Sequence, residues 1–235
     1  MTDRLPDSAS GSAPADLIER QQEAAEREWV AGWLAGPKRT RWDSLPVQVG
    51  DPAPDLTLPD MTGTPRPLSE FWPAGPTLLL FLRQYGCSCL AERWDSLREE
   101  LPDLLSAGAQ VLAIGQGEPE RTAAMVHRRG YPFPVLSDPE RRAYVAYGLL
   151  EGTPAQLVHD FPWRSGDMDS AESIFLRPRR GTERAVVDDP WQLPAEFVID
   201  RTGTIVLAHR YQYCEDFPPK TVLLGALAAA QRRKA

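Results

Sequence analysis

The stretch Thr77 to Leu82, TLLLFL, is apolar at almost every position and short enough for one strand, so it reads as a strand covered on both faces of a sheet. Ala91 to Leu105 follows with helical spacing through Leu97, Leu101, Leu104 and Leu105, and Pro102 is expected to kink or end that helix early. Gln110 to Ile114 (QVLAI) is a second buried strand, and a parallel pair of this kind needs a crossover helix of this size. Glu118 to Arg129 reads as the next helix, with Pro119 at its start and Gly130 as its stop. Phe133 to Leu136 is then a short strand, with a helix start at Ser137-Asp138-Pro139 and a short helix over Glu140 to Tyr147 ending at Gly148.

Residues 149 to 192 show no clean period and read as a long insertion with at most one short helix, Asp169 to Phe175. Glu196 to Ile199 and Thr204 to His209 form a hairpin around Asp200-Arg201-Thr202-Gly203, and Pro219 to Arg232 is a closing amphipathic helix. The element order implies an α/β domain with a mixed β-sheet and helices on both faces. It is the order of the thioredoxin-like fold.

Three segments precede or frame that domain. Residues 1 to 15 are small and polar enough to read as a disordered tail, and residues 16 to 48 as an N-terminal helix, Asp16 to Leu34, with a linker. The stripe Leu17, Ala24, Trp29 and Trp33 is expected to pack that helix on the main domain, residues 49 to 232. A formal charge of −7 argues against a nucleic-acid partner. The apolar runs Leu78 to Leu82 and Val222 to Ala230 are far below the ~18 residues of a membrane span, and the N-terminus lacks the basic start and apolar run of an export signal. A cytoplasmic location is the expectation, and three cysteines there point to reactive or metal chemistry, not to a disulfide framework.

Cys87 stands at the head of the helix that follows the TLLLFL strand, after Arg83-Gln84-Tyr85-Gly86. A helix N-terminus offers unpaired N–H groups and about half a positive charge, which favours a thiolate, and Arg83 is the candidate cation beside it. Gly86 allows a sharp turn that leaves the sulfur unshielded, as a nucleophile needs. A buried, inert role is the ordinary fate of a cysteine. A pair at a strand-to-helix turn weighs against it for Cys87 and leaves Cys89 evenly balanced.

The segment Phe81 to Glu99, FLRQYGCSCLAERWDSLRE, resembles the AhpC/TSA superfamily and its peroxiredoxin-like branch, whose turn carries Arg-x-x-Gly-Cys-x-x-Cys. Val49 to Gly63, Leu136 to Leu149, Trp191 to His209 and the last helix are similar to that family in the right order. The resemblance implies a thioredoxin-like fold and a thiol-based oxidoreductase that needs no cofactor. Its substrate would be a hydroperoxide or a disulfide, its reductant a thioredoxin-like or low-molecular-weight thiol, and a homodimer is compatible with it. It also implies a cis Pro194 facing the active cysteine. Two departures stand out: Leu80 and Gln84 replace the Pro and Thr of the peroxiredoxin motif, which argues for slow peroxide turnover, and the second cysteine is Cys89 where the branch has residue 90.

Residues two apart on a helix point about 200° from each other, so a Cys87–Cys89 bond is expected to be strained and labile. Cys214 is an alternative resolving thiol. The arginine that the family places before Phe197-Val198-Ile199 is replaced by Ala195 and Glu196, leaving Arg83 to serve alone. Glu92, Asp95, Glu99 and Glu100 read as a solvated helix face, and His127 and His159 as surface histidines. Two other classes remain: a redox-inactive binding module whose contact surface is the insertion, and a zinc site built from Cys87, Cys89, His209 and Cys214.

Overall fold

A computed structural model of the chain describes residues 12–154, 156–157 and 188–232, apart from the side chains of residues 12, 13 and 88. The short helix expected over Asp169 to Phe175 and His159 lie outside the described residues.

The first helix, α1, spans Ser12–Ala35 and so begins inside the stretch read as a disordered tail. A hairpin of β1 (Thr57–Pro59) and β2 (Pro65–Pro67) follows the linker. The main sheet comprises β3 (Thr77–Phe81), β4 (Gln110–Gly115), β5 (Val135–Ser137), β6 (Ala195–Ile199) and β7 (Ile205–Arg210). Its order is β5-β4-β3-β6-β7, parallel from β3 through β5 and antiparallel from β3 through β7. The helices are α2 (Ser88–Ser106), α3 (Pro119–Arg129), α4 (Arg142–Ala146) and α5 (Lys220–Arg232).

Strand periodicity divides the core in two. Leu78, Leu80 and Leu82 join Leu97, Leu104, Val126, Leu223 and Leu227 in one cluster, so α2, α3 and α5 cover that face. Leu79 and Phe81 point the other way, onto Leu58, Tyr144, Tyr147 and Phe197. Each fully buried Leu or Phe contributes about 1.5–3 kcal/mol, which is why the strand is the most strongly specified element of the chain.

Local chemistry sets most boundaries. Gly130 is left-handed (φ 68°) and its N–H bonds to the Val126 carbonyl at 2.8 Å, closing α3 as the sequence anticipates. Asp138 accepts the Arg142 and Ala143 amides at 3.0 and 2.8 Å, so it starts α4 from one turn upstream, and the helix begins later than Glu140. Pro102 corrects an expectation, since α2 runs through it to Ser106. Its neighbours Leu97 and Leu104 are fully buried, and that packing outweighs one lost backbone hydrogen bond.

Candidate functional site

Phe81, Ala195 and Arg210 lie side by side at one end of β3, β6 and β7. Three loops therefore meet there: the turn after β3, the segment entering β6, and the chain leaving β7. The first carries Arg83 and Cys87, the second Pro194, and the third Cys214. Cys87 is the N-cap of α2 with extended backbone (φ −72°, ψ 136°), and its N–H is held by the Gln84 carbonyl at 3.0 Å. Only Cys89 lies within the helix, so the divergence expected for two helical residues does not arise. The sulfurs of Cys87, Cys89 and Cys214 all lie within 4.8 Å of one another, and all three cysteines are free. Cys87 is half-buried, whereas Cys89 and Cys214 are 2% and 4% exposed.

Arg83 is buried beneath this cluster. Its guanidinium donates to the backbone carbonyls of Gln192 at 2.7 Å, Pro190 at 2.5 Å and Asp189 at 3.4 Å, and bonds to the Cys214 sulfur. Among the described residues it has no carboxylate partner. Nearby acids are engaged elsewhere: Asp188 pairs with Arg121, and Asp189 with Arg141 at 3.1 Å. A buried cation without an anion is costly, and here the sulfurs supply the compensating charge. Burial alone would push Arg83 down, yet the charges of Cys214, Cys87 and Cys89 raise it on balance.

The three thiols are correspondingly unequal. Interaction with the Cys214 and Cys89 thiols holds Cys87 well below the usual thiol range against the opposing effect of burial, and Arg83 and the first-turn amide of Cys89 add to this. Burial pushes Cys89 well above that range, and its two neighbours raise it further. Cys214 is pushed up to about 12, chiefly by hydrogen bonding to Cys87. One half-buried thiol inclined to ionise thus sits beside two buried thiols inclined to stay protonated.

The remaining expected residues fall as follows. Gln84 is buried and its Oε1 accepts the Gly86 N–H at 3.1 Å, so that oxygen braces the turn. Pro194 faces the cluster across a cavity of about 20 Å³ that Cys89 and Cys214 also line, room for a single water. Its peptide bond is trans, which corrects the cis expectation; the described residues contain no cis bond. A trans bond is the ordinary preference of an X–Pro peptide, and the segment leading to it is held at Trp191 and Gln192, whose amides donate to Asp189 at 2.7 and 3.3 Å. His209 bonds through Nε2 to the Asp216 carbonyl at 2.6 Å and is not part of the sulfur cluster, so the four-residue zinc set does not assemble. His127 is exposed, as expected.

Two groups escaped the sequence reading. Glu196, on β6, is fully buried and receives both Arg93 Nε and Nη2 at 2.6 and 3.0 Å and the Tyr211 hydroxyl at 2.5 Å. Arg93 also holds Glu100 at 3.0 Å, which removes Glu100 from the solvated face while Glu92, Asp95 and Glu99 stay exposed. Arg93, seven residues before Glu100 on α2, is the signal a helical-face reading could have used. The second is the place of Trp191 and the cysteines in a stack with Trp29 and Trp33, the two residues of the expected α1 stripe that do pack inward while Leu17 stays exposed; the centroids are 5.8 and 4.3 Å apart and the stack packs with all three cysteines. Trp191 Nε1 donates to the Gly32 carbonyl at 2.7 Å, so α1 roofs the site.

The model of the AhpC/TSA family matches residues 49–208. A provisionally named peroxiredoxin of Mycobacterium tuberculosis is 32% identical over 99 residues, 42% of this chain and 62% of its own length. Peroxiredoxin Bcp of Escherichia coli is 26% identical over 104 residues, 44% of this chain and 66% of its own length. The chain thus spans less than two thirds of either relative. Among solved structures, the thiol peroxidase of Chromobacterium violaceum superposes with a TM-score of 0.54 at 17% identity, covering 83% of this chain and 93% of that one. Peroxidoxin BcpB of Mycobacterium tuberculosis does so at 0.50 and 21%, covering 80% and 99%. These two likenesses establish the thioredoxin-like fold.

Proposed function

Because the chain belongs to the AhpC/TSA family, we propose that it is a thiol-dependent oxidoreductase in which Cys87 is the nucleophile and residues 49 to 232 form the catalytic unit. The observation that carries this reading is a half-buried N-cap cysteine, lowered toward its thiolate, with two protonated thiols within 4.8 Å.

With a disulfide substrate, the Cys87 thiolate attacks one sulfur, forming a mixed disulfide and expelling the other sulfur as a thiolate. Cys214 or Cys89, once deprotonated, then attacks Cys87, which releases the second substrate thiol and leaves an intramolecular disulfide. With a hydroperoxide, the thiolate takes the distal oxygen to become a sulfenic acid while the alkoxide leaves and is protonated. A neighbouring thiol condenses with the sulfenic acid and water departs. Either route ends with two protein sulfurs oxidised by two electrons, and two equivalents of an external thiol restore them. Both buried thiols must ionise before they attack, so the second step gains most from rising pH.

The activation of Cys87 is tested by alkylation rate against pH. In the double variant Cys89→Ala, Cys214→Ala the midpoint for Cys87 is expected below the ~8.5 of a free thiol, because Arg83 and the helix start remain. It is also expected above that of Cys89→Ala alone, which keeps the largest favourable contact, that from Cys214. Arg83→Met should move the midpoint upward. A midpoint at or above the free-thiol value in the double variant removes the activated-nucleophile reading.

The binding-module reading makes one contrary demand: full activity of its partner contact after all three cysteines are replaced. Nothing in the sulfur cluster requires such a module, and a buried arginine that meets sulfurs and backbone carbonyls but no carboxylate among the described residues has no use in it.

A further inference from the structure

We propose that Cys87, Cys89 and Cys214 form a tris-thiolate site for a soft divalent d10 cation, zinc or cadmium, with Arg83 as the built-in countercharge. The inference goes beyond the redox reading, because it concerns the fully reduced protein with no oxidant present.

Geometry is the first ground. A zinc–sulfur bond is about 2.3 Å, which in a tetrahedral arrangement sets sulfurs about 3.8 Å apart. The three sulfurs are already within 4.8 Å, so each pair needs to close by no more than about 1 Å. The ligands come from two places already side by side, the start of α2 and the chain leaving β7, so no large movement has to assemble the set. Softness is the second ground. Three thiolates and no oxygen donor favour thiophilic ions and discriminate against magnesium and calcium.

Charge is the third, and it selects the valence. A divalent ion with three thiolates carries a net charge of −1, which the lone Arg83 guanidinium balances; Arg83 reaches no carboxylate among the described residues. A monovalent cuprous ion would leave −2 beside one cation. Trivalent arsenic, bound with loss of three waters from arsenous acid, would leave a neutral complex and an uncompensated buried arginine. The fourth ground is space. The cavity of about 20 Å³ bordered by Cys89, Cys214 and Pro194 accommodates one water, which gives a tetrahedral ion its fourth ligand. His209 is tied to Asp216 and does not supply it. A bound ion would occupy the Cys87 sulfur, so loading and redox turnover exclude each other.

Titration of the full-length, reduced protein with cadmium under anaerobic conditions tests this, read by sulfur-to-metal charge-transfer absorbance and by native mass. Zinc affinity is read in parallel by competition with a chromophoric chelator. One ion per chain is expected, with Cys87→Ser, Cys89→Ser and Cys214→Ser each weakening cadmium at least 100-fold while thermal unfolding shows the variants folded. Arg83→Met should weaken cadmium about tenfold or more and leave arsenite affinity unchanged. Should that variant fail to fold, the unmodified protein still has to bind cadmium more tightly than arsenite. More than one ion per chain, equal affinity in any single serine variant, or a preference for arsenite each overturns the proposal. Alkylation of Cys87 is a separate measurement, so failure of the metal site and failure of the nucleophile are told apart.

Discussion

Cys87→Ser is expected to abolish both disulfide reduction and hydroperoxide consumption, at least a 1,000-fold loss, because a serine hydroxyl stays protonated where a thiolate would form. The informative results are the two flanking variants. Cys89→Ser and Cys214→Ser should both spare the first step with peroxide, since neither thiol is the nucleophile. The one that resolves Cys87 should accumulate a mixed disulfide that mass analysis detects. Disulfide reduction by the unmodified protein is expected to exceed hydroperoxide turnover with the same thiol donor. The peroxiredoxin hydroxyl is replaced by Gln84, whose Oε1 is engaged by the Gly86 amide, and misplaced reactants forfeit much of the rate that orientation supplies. Rapid peroxide turnover would overturn this ranking and show that Gln84 does position the substrate.

Glu196→Ala is the change expected to cost most stability. It removes both acceptor oxygens from Arg93 and one from the Tyr211 hydroxyl, in a place almost wholly removed from bulk solvent. Leaving a buried charge without its partner costs about 3–5 kcal/mol. Glu100 remains on Arg93 and sets the loss toward the lower end of that range. Urea unfolding measures it, and a loss below about 1 kcal/mol would mean the pair contributes nothing net. The double change Arg93→Met, Glu196→Met should cost less than Glu196→Ala alone, because two apolar side chains of similar volume leave no charge unpaired.

How much of this could be read from sequence depends on the range of each interaction. Thr77 to Leu82 announces itself because its burial is local and continuous, and Gly130 because one left-handed residue ends a helix wherever it occurs. The position of Cys87 at the head of α2 was legible for the same reason, since a strand-to-helix turn is a local feature. Its approach to Cys89 was misjudged, because an N-cap residue has strand-like dihedrals and the helical angle does not apply to it. Cys214, Trp29 and Trp191 come from far apart in the chain, and only the assembled sheet end brings them together. Pro194 followed the family pattern in position and departed from it in its peptide bond. Glu196 reads only as standing where the family has an arginine, because strand alternation cannot register that Arg93 on α2 supplies its partner.

If two of the three sulfurs join on oxidation, their chain separation would link redox state to resistance to unfolding. A bond between Cys87 and Cys214 would close a loop of over 120 residues and restrict the denatured ensemble by about 5 kcal/mol on the chain-entropy account, whereas one between Cys87 and Cys89 would contribute only about 1.6 kcal/mol. Melting temperature thus becomes a reading of which partner resolves the nucleophile, with a rise of many degrees for Cys214 and a slight one for Cys89. Linkage runs in both directions, so whichever long-range bond stiffens the fold is also harder for a reductant to open while the protein stays folded.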